Sequence, residues 1–446
     1  MHVVERFALF AGQSRNREFD PQVLHHAKRA VIDWYAAAFA GAALPPAALL
    51  EKSLSDELDR GKSRLLLGRK ASPRAAALIN GAAAHAAEFD DIYRDAIYHP
   101  GAPTIAAALA LAQANSIDGK AFLRAVVVGY EISTRIGAAM GRPHYKYWHN
   151  TGTIGCFGAA SACSELLNLD VNRFAHSLAT VATFSAGLQQ AFRMDSMSKP
   201  LHAGRAAEAG LTAALAARDG ITGALDILEG EAGYGRAMGY GDEEAGPDWE
   251  RGLATLGADF HITRMTFKNH GCCGHTFAAI DGALELKRKM RLPVGEIEKL
   301  EVATYGAALD VAGYESPRTP AEARFSLKYV VATALAHGSV RLAAFDSSQL
   351  ENVSTRELMK KIHVKMDPEL DAAFPGKRAA RVAITARSGR REEFLQPTRK
   401  GDPEMPLSDK ELEQKFMELA APVAGQAAAK KLLERLWRIE AEKRLA

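Results

Sequence analysis

The sequence predicts a mainly α protein, built as a large all-helical domain plus a smaller α+β domain. Three observations carry that expectation. Alanine-rich segments with a helical apolar period recur from Pro21 to about residue 230. Beyond about Phe260 a two-residue alternation of apolar and polar side chains appears, the mark of half-buried strands. After the turn-rich KGDPEMPLS at 400–408 the helical period returns. At 446 residues the chain exceeds the usual span of one core. The expected division is residues 1–262 with 401–446 as the helical domain, the C-terminal segment docking back on the first part, and 263–400 as the α+β domain.

The helical reading starts at PQVLHHAKRAVIDWYAAAFAG. There Val23, Ala27, Ala30, Val31, Trp34 and Phe39 keep a helical period and Gly41 stops it. Further helices are expected over 72–87, 102–114, 119–140, 155–167, 171–189 and 203–219. Alanine faces let helices approach closely, and no fixed repeat period suggests a solenoid. EGEAGYGRAMGYG, from Glu229 to Gly241, is glycine-rich like a nucleotide loop, but no strand pattern precedes it, so it reads as a plain loop. Strands are expected over 297–305, 362–366 and 378–387, with helices over 276–289 and 326–338 between them. Helices over 409–420 and 425–444 close the chain.

Composition excludes several classes. Hydrophobic residues at 48% with 24% charged describe a globular protein able to bury a sizeable core. Lys plus Arg exceeds Asp plus Glu by only 56 to 53, without a basic run, so nucleic acid is not an expected partner. Two of the four cysteines, Cys156 and Cys163, sit in apolar helical sequence, and Cys272 and Cys273 are adjacent. This is no disulfide framework and fits a cytoplasmic protein. Neither an export signal nor a membrane span is read from the chain.

Four stretches concentrate chemistry. GRPHYKYWHNTGTIG, from Gly141 to Gly155, sets His144, Tyr145, Lys146, His149 and Asn150 before a small-residue run. If a helix begins that early, Tyr145 and His149 share a face. HAAEFDDIYRDAIYHP carries His85, Glu88, Asp90, Asp91, Asp95 and His99, yet has neither HExxH nor a calcium-loop spacing, so no metal is assigned. MSKPLHAG places Lys199 and His202 at a helix start, where the dipole favours anions, so an anionic ligand is expected there. RMTFKNHGCCGH gathers Arg264, Lys268, His270 and His275 around two cysteines whose adjacency does not suit zinc.

These stretches, with VIDWYAAAFAG, GYEIS, SKPLHAGRAAEAGL, FKNHGCCGHTFAAIDGAL, FSLKYVVATALAHG and KGDPEMPLSDKELEQKF, resemble in order the MmgE/PrpD family over nearly the whole chain. The family includes 2-methylcitrate dehydratases, cis-aconitate decarboxylases and an iminodisuccinate epimerase. The resemblance implies a chorismate-mutase-like topology for the α+β domain, a homodimer, no metal or organic cofactor, and a small di- or polycarboxylate substrate. It also places the family's active-site positions on Glu88, His99, His149, Lys199 and Lys268. Where the family's decarboxylases and many dehydratases look like DFDDT, this chain has EFDDI, Glu88 to Ile92, which lengthens an acid and removes a hydroxyl.

The shared chemistry is labilising a C–H next to a carboxylate, which needs a base and cations to neutralise the developing enediolate. Lys199, Tyr145 and His149 are the expected catalytic groups. Glu88, Asp90, His99, Asn150, His202, Arg264 and Lys268 are expected to hold substrate. The departures at Glu88 and Ile92 favour an epimerase with Lys199 and Tyr145 as opposed acid and base. The alternatives are a dehydratase of 2-methylcitrate or a related hydroxy-tricarboxylate, and a non-catalytic scaffold.

Overall fold

In the computed structural model, which describes all residues except 195, 241–245, 375 and 446, the chain forms two compact units. One comprises Met1–Phe267 with Ser408–Ala446, and the other Lys268–Leu407. The changeovers fall at 267/268 and 407/408, several residues beyond the positions read from sequence texture. Gly241, the last residue of the glycine-rich stretch, lies outside the described residues.

The first unit is mainly helical because its alanines and glycines let helix backbones meet. The Ser198–Arg218 helix packs on Pro73–Ala86 and Gly155–Leu166. Gly81 and Gly204 face each other at the first crossing, and a Cβ on Gly204 would overlap the Leu78 carbonyl. That approach seats the start of one helix beside the end of the other.

Two sequence readings change in this unit. It contains an antiparallel ribbon, Leu58–Arg64 with Lys70–Ala71, so it is not all-helical. The charged residues of DRGKSR hid the ribbon, because only Leu58 and Ser63 of that strand face inward. The helix expected over 203–219 starts at Ser198, which puts Lys199 in its first turn.

The C-terminal helix Asp409–Ala424 packs on Pro21–Ala42. Its Lys415, fully buried, donates to Asp33 Oδ1 at 2.5 Å and to the Phe89 carbonyl at 2.7 Å. Burial raises the Asp33 carboxyl to about 6, with Lys415 opposing the shift. A buried cation without that partner would cost several kcal/mol, on the order of 3–5.

The second unit is a four-stranded sheet in the order Ile362–Met366, Ile297–Thr304, Ala380–Ala386, Arg391–Gln396. The first pair is parallel and the others antiparallel. Helices Phe277–Met290 and Leu327–His337 complete its apolar core, which holds Ile280, Val302, Val330 and Val382. Ser326 caps the second of these helices and Gly338, in the left-handed region, ends it. Among the described residues no helix is long and apolar enough to cross a membrane.

Candidate active site

The Pro73–Ala86 helix, entered through the Ser72 cap, carries His85 on its last turn, and the chain then turns through Glu88 at φ +57°. This turn directs Asp90 inward, where it is 1% exposed. Asp90 Oδ2 lies 2.7 Å from His85 Nδ1 and 3.3 Å from His99 Nδ1. Burial pushes the Asp90 carboxyl up, but the two imidazoles outweigh it and hold the group well below the carboxylate range. An ionised Asp90 therefore fixes Nδ1–H on His85, which turns its Nε2 away from the carboxylate. Among the described residues, His85 Nε2 and Asp90 Oδ1 are buried without a hydrogen-bond partner. The adjacent Asp91 behaves oppositely. Burial, with Asp33 nearby, raises it to about 8, while it accepts from Tyr130 Oη at 2.8 Å and Gly101 N at 3.0 Å.

His149 reaches the same place from another direction. The long helix Gly119–Tyr145 breaks helical geometry at Gly141, and His149 begins a short turn, Asn150–Thr153. The next helix thus begins only at Asn150, so the condition under which Tyr145 and His149 would share a face is not met. His149 N donates to the Gly187 carbonyl at 2.9 Å. Its Nδ1 lies 3.0 Å from His202 Nδ1, so one of the two rings must donate to the other. His202 fits because Gly187, at φ +134°, has no side chain; a Cβ there would lie 3.0 Å from the imidazole.

The rings of His99, His85, His149 and His202 follow one another at centroid separations of 4.8, 5.3 and 5.2 Å. Burial first, then the neighbouring imidazoles and Lys199, holds His149 well below the usual histidine range. Burial, with His85 and Lys199 nearby, lowers His202 to about 4. The array therefore resists carrying several charges at once.

Lys199 pairs with Glu88, and its ammonium sits 4.7 Å over the Phe192 ring, which also meets His149 edge-on at 4.9 Å. The anion expected at this helix start is thus supplied within the chain by Glu88. Asn150 Nδ2 donates to the Ala96 carbonyl at 2.5 Å, while its Oδ1 is buried without a partner.

Of the expected site residues, Glu88, Asp90, His99, His149, His202 and Lys199 come together through these contacts, with Asn150 next to His149. Tyr145 is partly buried and lines a cavity of about 540 Å³ with Tyr147, Gln189, Phe192 and Arg193. Arg264 stands at the surface, paired with Asp259, and is not part of the imidazole array. Lys268 opens the second unit and is 5% exposed. In that unit His270 Nε2 pairs with Asp281 at 3.0 Å and His275 Nδ1 with Tyr305 Oη at 2.9 Å. No disulfide joins the four cysteines.

The sequence reading singled out no role for His85, although a lone histidine ending an alanine-rich helix just before EFDD was the available signal. Among the described residues, His85, Asp90 and His99 also form the one group of His, Cys, Asp and Glu whose ligand atoms come close enough for a metal, within 4.8 Å. Ligands on one tetrahedral zinc lie about 3.3 Å apart, from bonds of about 2.0 Å. The 2.7 Å between His85 and Asp90 is instead a hydrogen-bond distance.

Comparison with known proteins decides the family. Residues 5–245 match the MmgE/PrpD N-terminal domain and residues 270–439 the MmgE/PrpD C-terminal domain. The chain belongs to the MmgE/PrpD family. Among its relatives, a cis-aconitate decarboxylase-like protein, oryM of Aspergillus oryzae, is 28% identical, over 94% of this chain and 89% of its own. Human cis-aconitate decarboxylase is 25% identical over 97% and 90%, and that of Aspergillus terreus 26% over 92% and 87%. These relatives are named as decarboxylases, which fits the dehydratase alternative, also a bond-cleaving reaction, better than the epimerase expected from Glu88 and Ile92.

Proposed function

We propose that this protein is a cofactor-independent lyase acting on a small tricarboxylate, with cis-aconitate as the first substrate to test. The observation that carries the reading is the single array in which Lys199 and Glu88 adjoin four imidazoles anchored by a buried, ionised Asp90. The names of the relatives support the same class. Lys199, drawn from Glu88 by an incoming carboxylate, supplies the cation that binds it.

When the C–C bond to the departing carboxylate breaks, its electron pair moves through the double bond toward the neighbouring carboxylate, and carbon dioxide leaves. The former alkene carbon then takes a proton. His99, oriented by Asp90, is the proposed donor, because a charged imidazole beside an ionised carboxylate is electrostatically matched. His149 and His202, each held largely neutral, accept hydrogen bonds from substrate without adding charge. In a hydroxy-tricarboxylate the same donor would protonate the departing hydroxyl while neutral His149 takes the proton from the adjacent carbon, so that water leaves as the double bond forms.

Incubating the protein with cis-aconitate and with hydroxy-tricarboxylates in deuterated water, followed by NMR, tests this. Loss of carbon dioxide with one deuterium gained at carbon, or loss of water with one C–H lost and no deuterium gained at carbon, is expected. Deuterium exchange at an intact stereocentre with no fragment lost would replace the lyase by an isomerase.

A further inference from the structure

At the opposite end of the Gly119–Tyr145 helix from His144 lies a second cavity, of about 400 Å³. Roughly 30 Å of helix separates Lys120 from Met140, at about 1.5 Å per residue. The cavity is lined by Arg15, Arg17, Lys120 and Arg124, with Phe19 and Leu24 on its apolar side. Glu18 is the acid in the lining.

Beneath it sits Glu165, fully buried at the end of the Gly155–Leu166 helix. Its two oxygens are shared out: Oε2 accepts from Arg15 Nε at 3.0 Å and Oε1 from Arg124 Nε at 2.8 Å. One carboxylate therefore orients two guanidinium groups through their Nε atoms, and the Nη groups of both make no other hydrogen bond among the described residues. Arg15 Nη2 is buried without a partner. Arg17 is tethered through Nη1 to the Gly257 carbonyl at 2.6 Å.

The arrangement has the parts of an oxyanion site. Planar forks match the oxygens of phosphate or carboxylate, and a fork already held by a carboxylate loses less entropy on binding. Lys120 adds a compact charge in the first turn of a 27-residue helix, whose positive end attracts anions. Four cations against Glu18 and Glu165 leave an excess suited to a dianion. Phe19, Pro21 and Leu24 offer an apolar wall for an organic body. We propose that this cavity is a second ligand site that takes a phosphate monoester, with the phosphate on Arg15, Arg124 and Lys120 and the organic group against Phe19 and Leu24.

Isothermal titration of the full chain with phenyl phosphate and with inorganic phosphate at low salt tests the site. One saturable event per chain is expected, with phenyl phosphate about tenfold tighter because its ring buries apolar area. Lys120→Gln, whose ammonium has no buried partner to strand, should weaken binding about three- to tenfold. Arg124→Gln combined with Glu165→Gln removes one guanidinium together with the carboxylate that orients Arg15, and should weaken it more than about tenfold. Circular dichroism on both variants checks that they are folded. Lys199→Ala, which alters the candidate active site, should leave this binding unchanged. Absence of saturable binding, or binding lost in Lys199→Ala and kept in the Lys120 and Arg124 variants, overturns the proposal.

Discussion

The two histidine-rich regions of this chain use the same residue types to different ends. In the first unit, His85 and His99 converge on one carboxylate, His85 stacks on His149, and His85 Nε2, Asp90 Oδ1 and Asn150 Oδ1 are left buried without partners. In the second, His270 has Asp281 on Nε2 while its Nδ1 is buried without a partner among the described residues, His275 has Tyr305, and Asp281 also accepts from Lys400 N at 2.7 Å. Buried polar groups are normally satisfied, so three unpaired atoms within one imidazole array, against a single unpaired ring nitrogen in the other region, indicate a place awaiting a ligand. One imidazole to one acceptor indicates a group that holds structure. Composition alone does not separate the two; the distribution of hydrogen bonds does.

The largest expected effect that sharpens this contrast is Lys199→Ala. Turnover of whichever tricarboxylate reacts in the NMR test should fall by about 10²- to 10⁴-fold, the usual contribution of a positioned acid, base or charge. Steady-state kinetics measures it, and retention of more than a tenth of wild-type kcat would break the assignment. Asp90→Asn comes next. It keeps the shape but no longer fixes Nδ1–H on His85 and His99, so a loss of about 10²-fold in kcat with a smaller change in KM is expected. A changed pH profile of kcat would accompany it, which a purely structural loss would not produce.

His275→Leu probes the other region. It leaves the Tyr305 hydroxyl without its partner, and stability should drop by about 1–3 kcal/mol in chemical denaturation while kcat stays within about threefold. Acid sensitivity should change as well. Burial, with Arg378 and Arg399 nearby, lowers His275 from 6.5 to about 4, so the unfolded chain takes up a proton that the folded chain refuses. That contribution to stability is intact above pH 6.5 and lost as pH falls through 4, and the variant should show a shallower decline over that window. An equal slope would mean that His275 is already protonated in the folded protein.

The smallest expected effect is that of a chelator. If His85, Asp90 and His99 act as a hydrogen-bonded group, dialysis against a strong chelator should leave kcat unchanged. Loss of activity restored by one divalent ion would turn the same three residues into ligands.

How much was legible follows from what each pattern reports. Helices over Gly101–Asn115 and Phe277–Met290 were visible because their apolar content and stop signals are local. The strand Arg391–Gln396 was not. It pairs on one side only, along Ala380–Ala386, and its burial alternates between exposed and half-buried up to the buried Gln396, so REEFLQ reads as surface. In the site, Glu88, Asp90, His99, His149, Asn150, Lys199 and His202 stood out as unusual residues in short stretches. Their convergence, and the place of His85 among them, depends on a helix crossing at Gly81 and Gly204 that no local pattern encodes. Arg264 was named for its neighbours in sequence, but Asp259, five residues earlier, engages it.

The pairing of Lys415 with Asp33 also sets an order of events during synthesis. The two residues are 382 positions apart. At about 5–20 residues per second, Asp33 emerges roughly 20 to 80 s before its counter-charge exists. Everything from Lys268 to Leu407 is made in that interval, so the second unit is complete while the first still lacks its final helices. The helical unit, though it begins the chain, is the one that finishes last.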